Sequence, residues 1–125
     1  MNTRISAAQE LLALHDVDAL IVTPSADLRY LSGYAALPLE RLTALVVSAE
    51  QEPVMILPEL EMAAATAAGV EFNLIAWAET DDPFEILGQL LNGAQTIAVD
   101  DQMWASRVFA LQDALPETAF CLGGA

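Results

Sequence analysis

Asp100 and Asp101 stand together after the apolar run "TIAV", and adjacent carboxylates at a strand end are the kind of arrangement that holds Mg²⁺ in a phospho-acceptor pocket. Such a pocket also needs a lysine to neutralise the phosphoryl oxygens, and all four basic residues of this sequence are arginines. The pair therefore reads as solvated cap residues for the helix "QMWASRVFALQDAL". The cluster "ETDD", Glu79 to Asp82, reads likewise as negative charge favoured at a helix N-terminus. The one histidine, His15, falls at a helix end with no second soft ligand beside it. The one cysteine, Cys121 in "TAFCLGG", has no disulfide partner and reads as a small buried apolar residue. Serine and cysteine nucleophiles thus have no base, and neither GxGxxG nor GxxxxGK[ST] occurs. No catalytic or metal-binding role falls on any residue, and the chain alone is expected not to catalyse a reaction.

Composition narrows the partners. With 18 acidic against 4 basic side chains the formal net charge is -14, which repels phosphate backbones and anionic lipids, so neither nucleic acid nor membrane is an expected partner. Hydrophobic residues make up 55% of the sequence, yet no apolar run approaches the roughly 18 residues that would span a bilayer. The excess belongs in a core or at an interface between subunits, and the acidity keeps such a chain soluble. The opening "MNTRISAAQELLALHD" lacks the pattern of a signal peptide, so a cytoplasmic location is expected. A length of 125 residues fits one domain, residues 1–125.

The elements that must position any site alternate along the chain. Ile5, Ala8, Leu11, Leu12 and His15 recur at helical spacing. "ALIVT" reads as a strand buried on both faces, and Ser25 as the N-cap of a short helix that runs through Leu31 and closes at Gly33. "LTALVVS" and "PVMILP" are strands joined by "AEQE", too short for a crossover, and should pair antiparallel. "PELEMAAATAAG" begins with proline and stops at Gly69, as a helix does; "FNLIAW" is a strand. In "DDPFEILGQLLNG", Asp82 as N-cap, Pro83 at the first helical position and Glu85 form a capping-box pattern, with Gly93 closing the helix. "TIAVD" is a strand; Trp104, Val108, Leu111 and Leu115 mark one face of a helix that Pro116 ends; "TAFCL" is a last strand. The alternation predicts an α/β fold in three layers, with a mixed, mostly parallel sheet of about six strands flanked by helices. The sequence stops at "LGGA", directly after a strand, which reads as a boundary between domains.

"VDALIVTPSADLRYLSGY", "ERLTALVVS", "PVMILPELE" and "TIAVDD", in this order and spacing, resemble the N-terminal domain of the creatinase/prolidase metallopeptidases, the group of X-Pro dipeptidase and aminopeptidase P. The likeness covers nearly the whole chain. One departure is the hairpin turn, where "AEQE" replaces the glycine-containing turn usual in the family. The resemblance implies a creatinase/prolidase N-terminal fold and a missing partner: a C-terminal catalytic domain, absent from this chain, in which paired divalent ions (Mn, Co or Zn) activate water for attack on the peptide carbonyl. It also implies a homo-oligomer, and a role in limiting access of short X-Pro peptides to the catalytic site. In that setting the loop "AALPLER", flanked by Tyr34 and Arg41, is a candidate substrate rim, since an aromatic ring and one cation can meet a proline ring or a carboxylate. A half-buried Tyr34 and a surface ion pair at Arg41 are the plainer alternative. Asp27, Arg29 and Tyr30 read as local capping and ion pairing. The competing reading of the whole chain is a free-standing α/β dimerisation or binding module derived from that domain.

Overall fold

The computed structural model describes residues 3–23, 42–49, 51–69, 73–78, 80–101 and 103–122. The expected short helix at residues 25–31, with Gly33, Tyr34 and Arg41, lies outside them. In chain order the elements are α1 (Thr3–Leu14), β1 (Ala19–Val22), β2 (Ala44–Ser48), β3 (Val54–Pro58), a 3₁₀ turn (Glu59–Glu61), α2 (Met62–Ala67), β4 (Asn73–Trp77), α3 (Pro83–Leu90), β5 (Thr96–Val99), α4 (Ala105–Ala114) and β6 (Ala119–Leu122).

The strands form one sheet in the order β4-β3-β2-β1-β5-β6. β2 is antiparallel to β1 and to β3, while β3–β4, β1–β5 and β5–β6 are parallel pairs. Reversal of β2 is what the short "AEQE" connection requires, because a parallel return needs a crossover of a dozen or more residues. The other five strands point the same way, so their carboxyl ends share one edge of the molecule.

Strand alternation sends side chains to two helix-covered faces. On one, Ala19, Ile21, Val46, Ile56 and Ile97 pack with Leu87 and Leu91 from the α3 region and Leu111 and Leu115 from the α4 region. On the other, Val22, Leu45, Val47, Met55 and Leu57 pack with Ile5 and Leu12 of α1 and Ala65 of α2. The three-layer α/β architecture is as the sequence predicts. The α1 stripe differs in part: Ile5 and Leu12 are buried, whereas Leu11 is exposed, as is His15.

Local chemistry sets the helix ends. Asp82 accepts a hydrogen bond from Phe84 N–H at 2.9 Å and Pro83 takes the first turn of α3. Gly69 and Gly93 adopt φ of 79° and 89° after α2 and α3, where a Cβ would be strained. α1 closes without glycine: Asp16 takes φ 56°, Val17 N–H donates to Leu12 O and Asp16 N–H to Ala13 O. These are the two hydrogen bonds of a Schellman motif, and Val17 packs against the cluster that contains Leu12. Gln9 donates from Nε2 to the carbonyls of Ser48 and Gln51, which ties α1 to the hairpin that lacks a turn glycine.

Candidate functional site

Buried polar side chains mark the edge formed by the strand carboxyl ends. Among the described residues the buried polar or charged ones are Thr23, Thr43, Asp100 and Arg107. Thr23 follows β1, Asp100 follows β5, Thr43 precedes the reversed β2, and Arg107 lies in the first turn of α4. All four therefore belong to the same end of the sheet. In open α/β sheets this end, between adjacent parallel strands whose connections diverge, is where ligands are met. β1 and β5 are such a pair: β1 leads on to β2 on one side and β5 to β6 on the other.

Asp100 is 3% exposed. Its Oδ1 accepts from Thr23 N–H at 2.8 Å and from Thr23 Oγ1 at 2.9 Å, and its own N–H donates to Ile21 O. The expectation of a solvated cap is therefore corrected for Asp100, which is a buried acceptor for the end of β1; Asp101 is exposed. Arg107 is 5% exposed. Burial pushes its guanidinium below the usual arginine range, and the negative charge of Asp100 opposes that shift. The guanidinium carbon lies 4.2 Å from the centre of the Trp104 ring, within cation–π range.

Trp104 was expected on the buried face of α4; it instead occupies the N-cap position in an extended conformation, makes no side-chain cap bond, and is 41% exposed. Arg107 takes an inward position on that helix, with Leu111 and Leu115 behind it. Sequence reasoning passed over Arg107 and Thr23. An arginine one turn into an apolar helix stripe was the available signal for the first; for Thr23 there was none. In the edge strand β4 Trp77 donates from Nε1 to Leu42 O at 2.9 Å, so Thr23 and Leu42, which flank residues 24–41, are each held by a side chain distant in sequence.

The rim candidates Tyr34 and Arg41 lie outside the described residues, with Asp27, Arg29 and Tyr30. Cys121 is exposed, a correction with a simple cause: β6 is an edge strand, and Cys121 alternates away from Phe120, which packs on the α3/α4 cluster. The α1/α2 cluster includes no β5 or β6 residue to cover it. Among the described residues no group of three or more His, Cys, Asp or Glu side chains is placed to hold a metal ion. No described helix is long and apolar enough to cross a membrane.

Comparisons with known proteins converge on one family. Residues 4–122 match the model of the Creatinase/Prolidase N-terminal domain. The probable dipeptidase PepE of Mycobacterium tuberculosis is 39% identical over 116 residues, which cover 90% of this chain and 31% of that protein. The crystal structure of dipeptidase PepE from Mycobacterium ulcerans superposes with a TM-score of 0.81 at 38% identity, covering 94% of this chain and 33% of that one. The N-terminal domain of an X-Pro dipeptidase from Streptococcus pyogenes gives a TM-score of 0.87 at 24% identity, with 98% of this chain and 95% of that one covered. The chain thus spans about a third of the length of the curated relatives it matches.

Proposed function

This chain belongs to the Creatinase/Prolidase N-terminal domain family, and from that premise we propose that it is the non-catalytic amino-terminal domain of a metal-dependent X-Pro peptidase. Its work is to restrict access to the catalytic site and to make subunit contacts. A further domain, C-terminal to it, supplies the divalent ions and the reacting groups. The observation that carries this reading is the match of residues 4–122 to the Creatinase/Prolidase N-terminal domain, together with 39% identity over 116 residues to a probable dipeptidase of which those residues cover 31%.

The carboxyl edge suits the access role. Its polar groups are held by hydrogen bonds rather than left to solvent, and it presents the partly exposed ring of Trp104. Tyr34 and Arg41, in the stretch between Thr23 and Leu42, are the proposed substrate rim, the ring to lie against proline and the cation to meet a peptide carboxylate. Short peptides with proline second are the proposed substrates.

The test is hydrolysis of X-Pro dipeptides, with Mn²⁺, Co²⁺ or Zn²⁺ supplied, by the protein that carries this chain, with and without residues 1–125. Cleavage that becomes less selective for dipeptides over longer X-Pro peptides when the residues are removed is the expected result. Absence of X-Pro hydrolysis, or selectivity indifferent to the removal, overturns the reading. The 125-residue chain alone is expected to show no turnover.

A further inference from the structure

Asn92 and Gly93 are neighbours in the turn between α3 and β5. An asparagine followed by glycine is where a chain can attack itself: the backbone nitrogen of the second residue reaches the side-chain carbonyl carbon of the first, and no Cβ on the second residue stands in the way. The fold decides whether the attack occurs, because a nitrogen held in a hydrogen bond or walled in by neighbours must first be released by local opening.

The surroundings of this pair leave it free. Both residues are exposed. Leu91 N–H donates to Leu87 O and Ala94 N–H to Leu91 O, whereas Gly93 N–H, between them, donates to no backbone carbonyl among the described residues. A Cβ at Gly93 would meet nothing within 4 Å outside its chain neighbours, so the nitrogen has room for the ring that the attack forms. Asn73 is the contrast within the chain. It is exposed as well, but it lies in β4 opposite Val54 and is followed by Leu74, which pairs with Met55.

We propose that Asn92–Gly93 is a site of self-modification in the folded protein. The Gly93 nitrogen bonds to Cγ of Asn92 while the Cγ–Nδ2 bond breaks, and Nδ2 leaves as ammonia with the proton that the Gly93 nitrogen gave up by way of water. The product is a succinimide ring. Water opens it in either of two ways: cleavage between the nitrogen and Cγ leaves aspartate, and cleavage between the nitrogen and the backbone carbonyl carbon leaves isoaspartate, with an extra carbon in the main chain. Water is consumed, ammonia is released, and nothing is oxidised or reduced. Either product places a carboxylate just beyond the end of α3, at the negative pole of its dipole, in a groove that Asp16 and Asp18 already line. The new charge loosens the end of α3.

The experiment holds the folded 125-residue chain in mildly alkaline buffer beside the same chain in urea and the folded variants Asn92→Gln and Gly93→Ala. Released ammonia, a more acidic species on anion exchange and methyl transfer by an isoaspartate-specific methyltransferase follow the reaction, and peptide mapping locates it. Residue 92 should become a mixture of aspartate and isoaspartate at a rate within about ten-fold of that in urea, as for a segment whose opening costs almost nothing, while Asn73 keeps its amide. Asn92→Gln keeps Gly93 but would need a larger ring, and the acidic species should not form. Gly93→Ala should slow its formation several-fold, in urea as well as in the folded chain. Asn92→Asp, which supplies the charge at once, should melt below the parent. Asn92 left intact in the folded chain while it converts in urea, or conversion at Asn73 in its place, overturns the inference. An Asn92→Asp melting temperature equal to that of the parent overturns the loosening of α3.

Discussion

Asp100 and Trp77 each bring a polar side-chain atom to a backbone group far away in sequence, and their energetics follow from what is left behind on removal. Trp77 Nε1–H is the donor to the carbonyl of buried Leu42. Trp77→Phe keeps most of the ring but strands that carbonyl, so it should cost about 1–3 kcal/mol, read from urea unfolding. An unchanged midpoint would mean that water replaces the indole. For Arg107 the sign of the pH dependence is fixed: its folded pKa is lowered by burial, so the unfolded chain binds that proton more readily. Stability from its deprotonation is gained only in strongly alkaline solution. Equilibrium unfolding between about pH 6 and 9 should therefore contain no step that disappears in Arg107→Met, while that variant loses stability at every pH in the range, because the Asp100 carboxylate loses its countercharge. At this scale the sequence was least legible. A carboxylate between a strand and a helix has the local credentials of a cap, and nothing near Asp100 in the chain announces Thr23 as its partner. Cys121 misled for a related reason: an apolar strand reads the same whether it lies inside a sheet or at its edge.

Elements, by contrast, were largely written in their punctuation. Asp82, Pro83 and Gly93 bracket α3 where the capping chemistry says they should, and "AEQE" forces the reversal of β2 because four residues cannot cross the sheet. Exact ends were less legible where a non-glycine residue does a glycine's work, as Asp16 does at the close of α1. The two glycines of the α3 region then behave oppositely. Gly88 lies within α3, and a Cβ there would meet Ala114 O and Cβ at 3.5 and 3.6 Å, ordinary contact distances. Gly88→Ala should stabilise by about 0.5–1 kcal/mol, since it removes a flexible residue from a helix interior without a clash. Gly93, at φ 89° with open space around it, gains nothing from a side chain, and Gly93→Ala should cost about 1–2 kcal/mol in backbone strain. Thermal melts of the two variants should move in opposite directions; movement in the same direction would show that α3 and α4 shift to accommodate Gly88→Ala.

The whole molecule combines a formal net charge of -14 with large apolar side chains left on its surface. Leu11, Leu14 and Leu90 are exposed on elements that end at the amino edge of the sheet, whereas Leu60, Trp104 and Leu122 are exposed toward the carboxyl edge, and Phe109 stands out from α4 at 64% exposure. Exposed apolar surface favours association, and like charge on every copy opposes it. Screening falls within a distance that shrinks from about 30 Å at 0.01 M salt to about 8 Å at 0.15 M, so the repulsive term weakens with salt while the apolar term does not. If the domain makes subunit contacts, its apparent mass by light scattering at micromolar concentration should rise between those two salt concentrations. Phe109→Ser and Leu14→Ser separate the candidate surfaces, because they alter α4 and α1 without touching either buried cluster. Loss of association in one variant and not in the other would assign the contact to that helix. A mass that stays monomeric at both salt concentrations would remove subunit contacts from the domain's role, and would leave the restriction of substrate access as the function still to be tested.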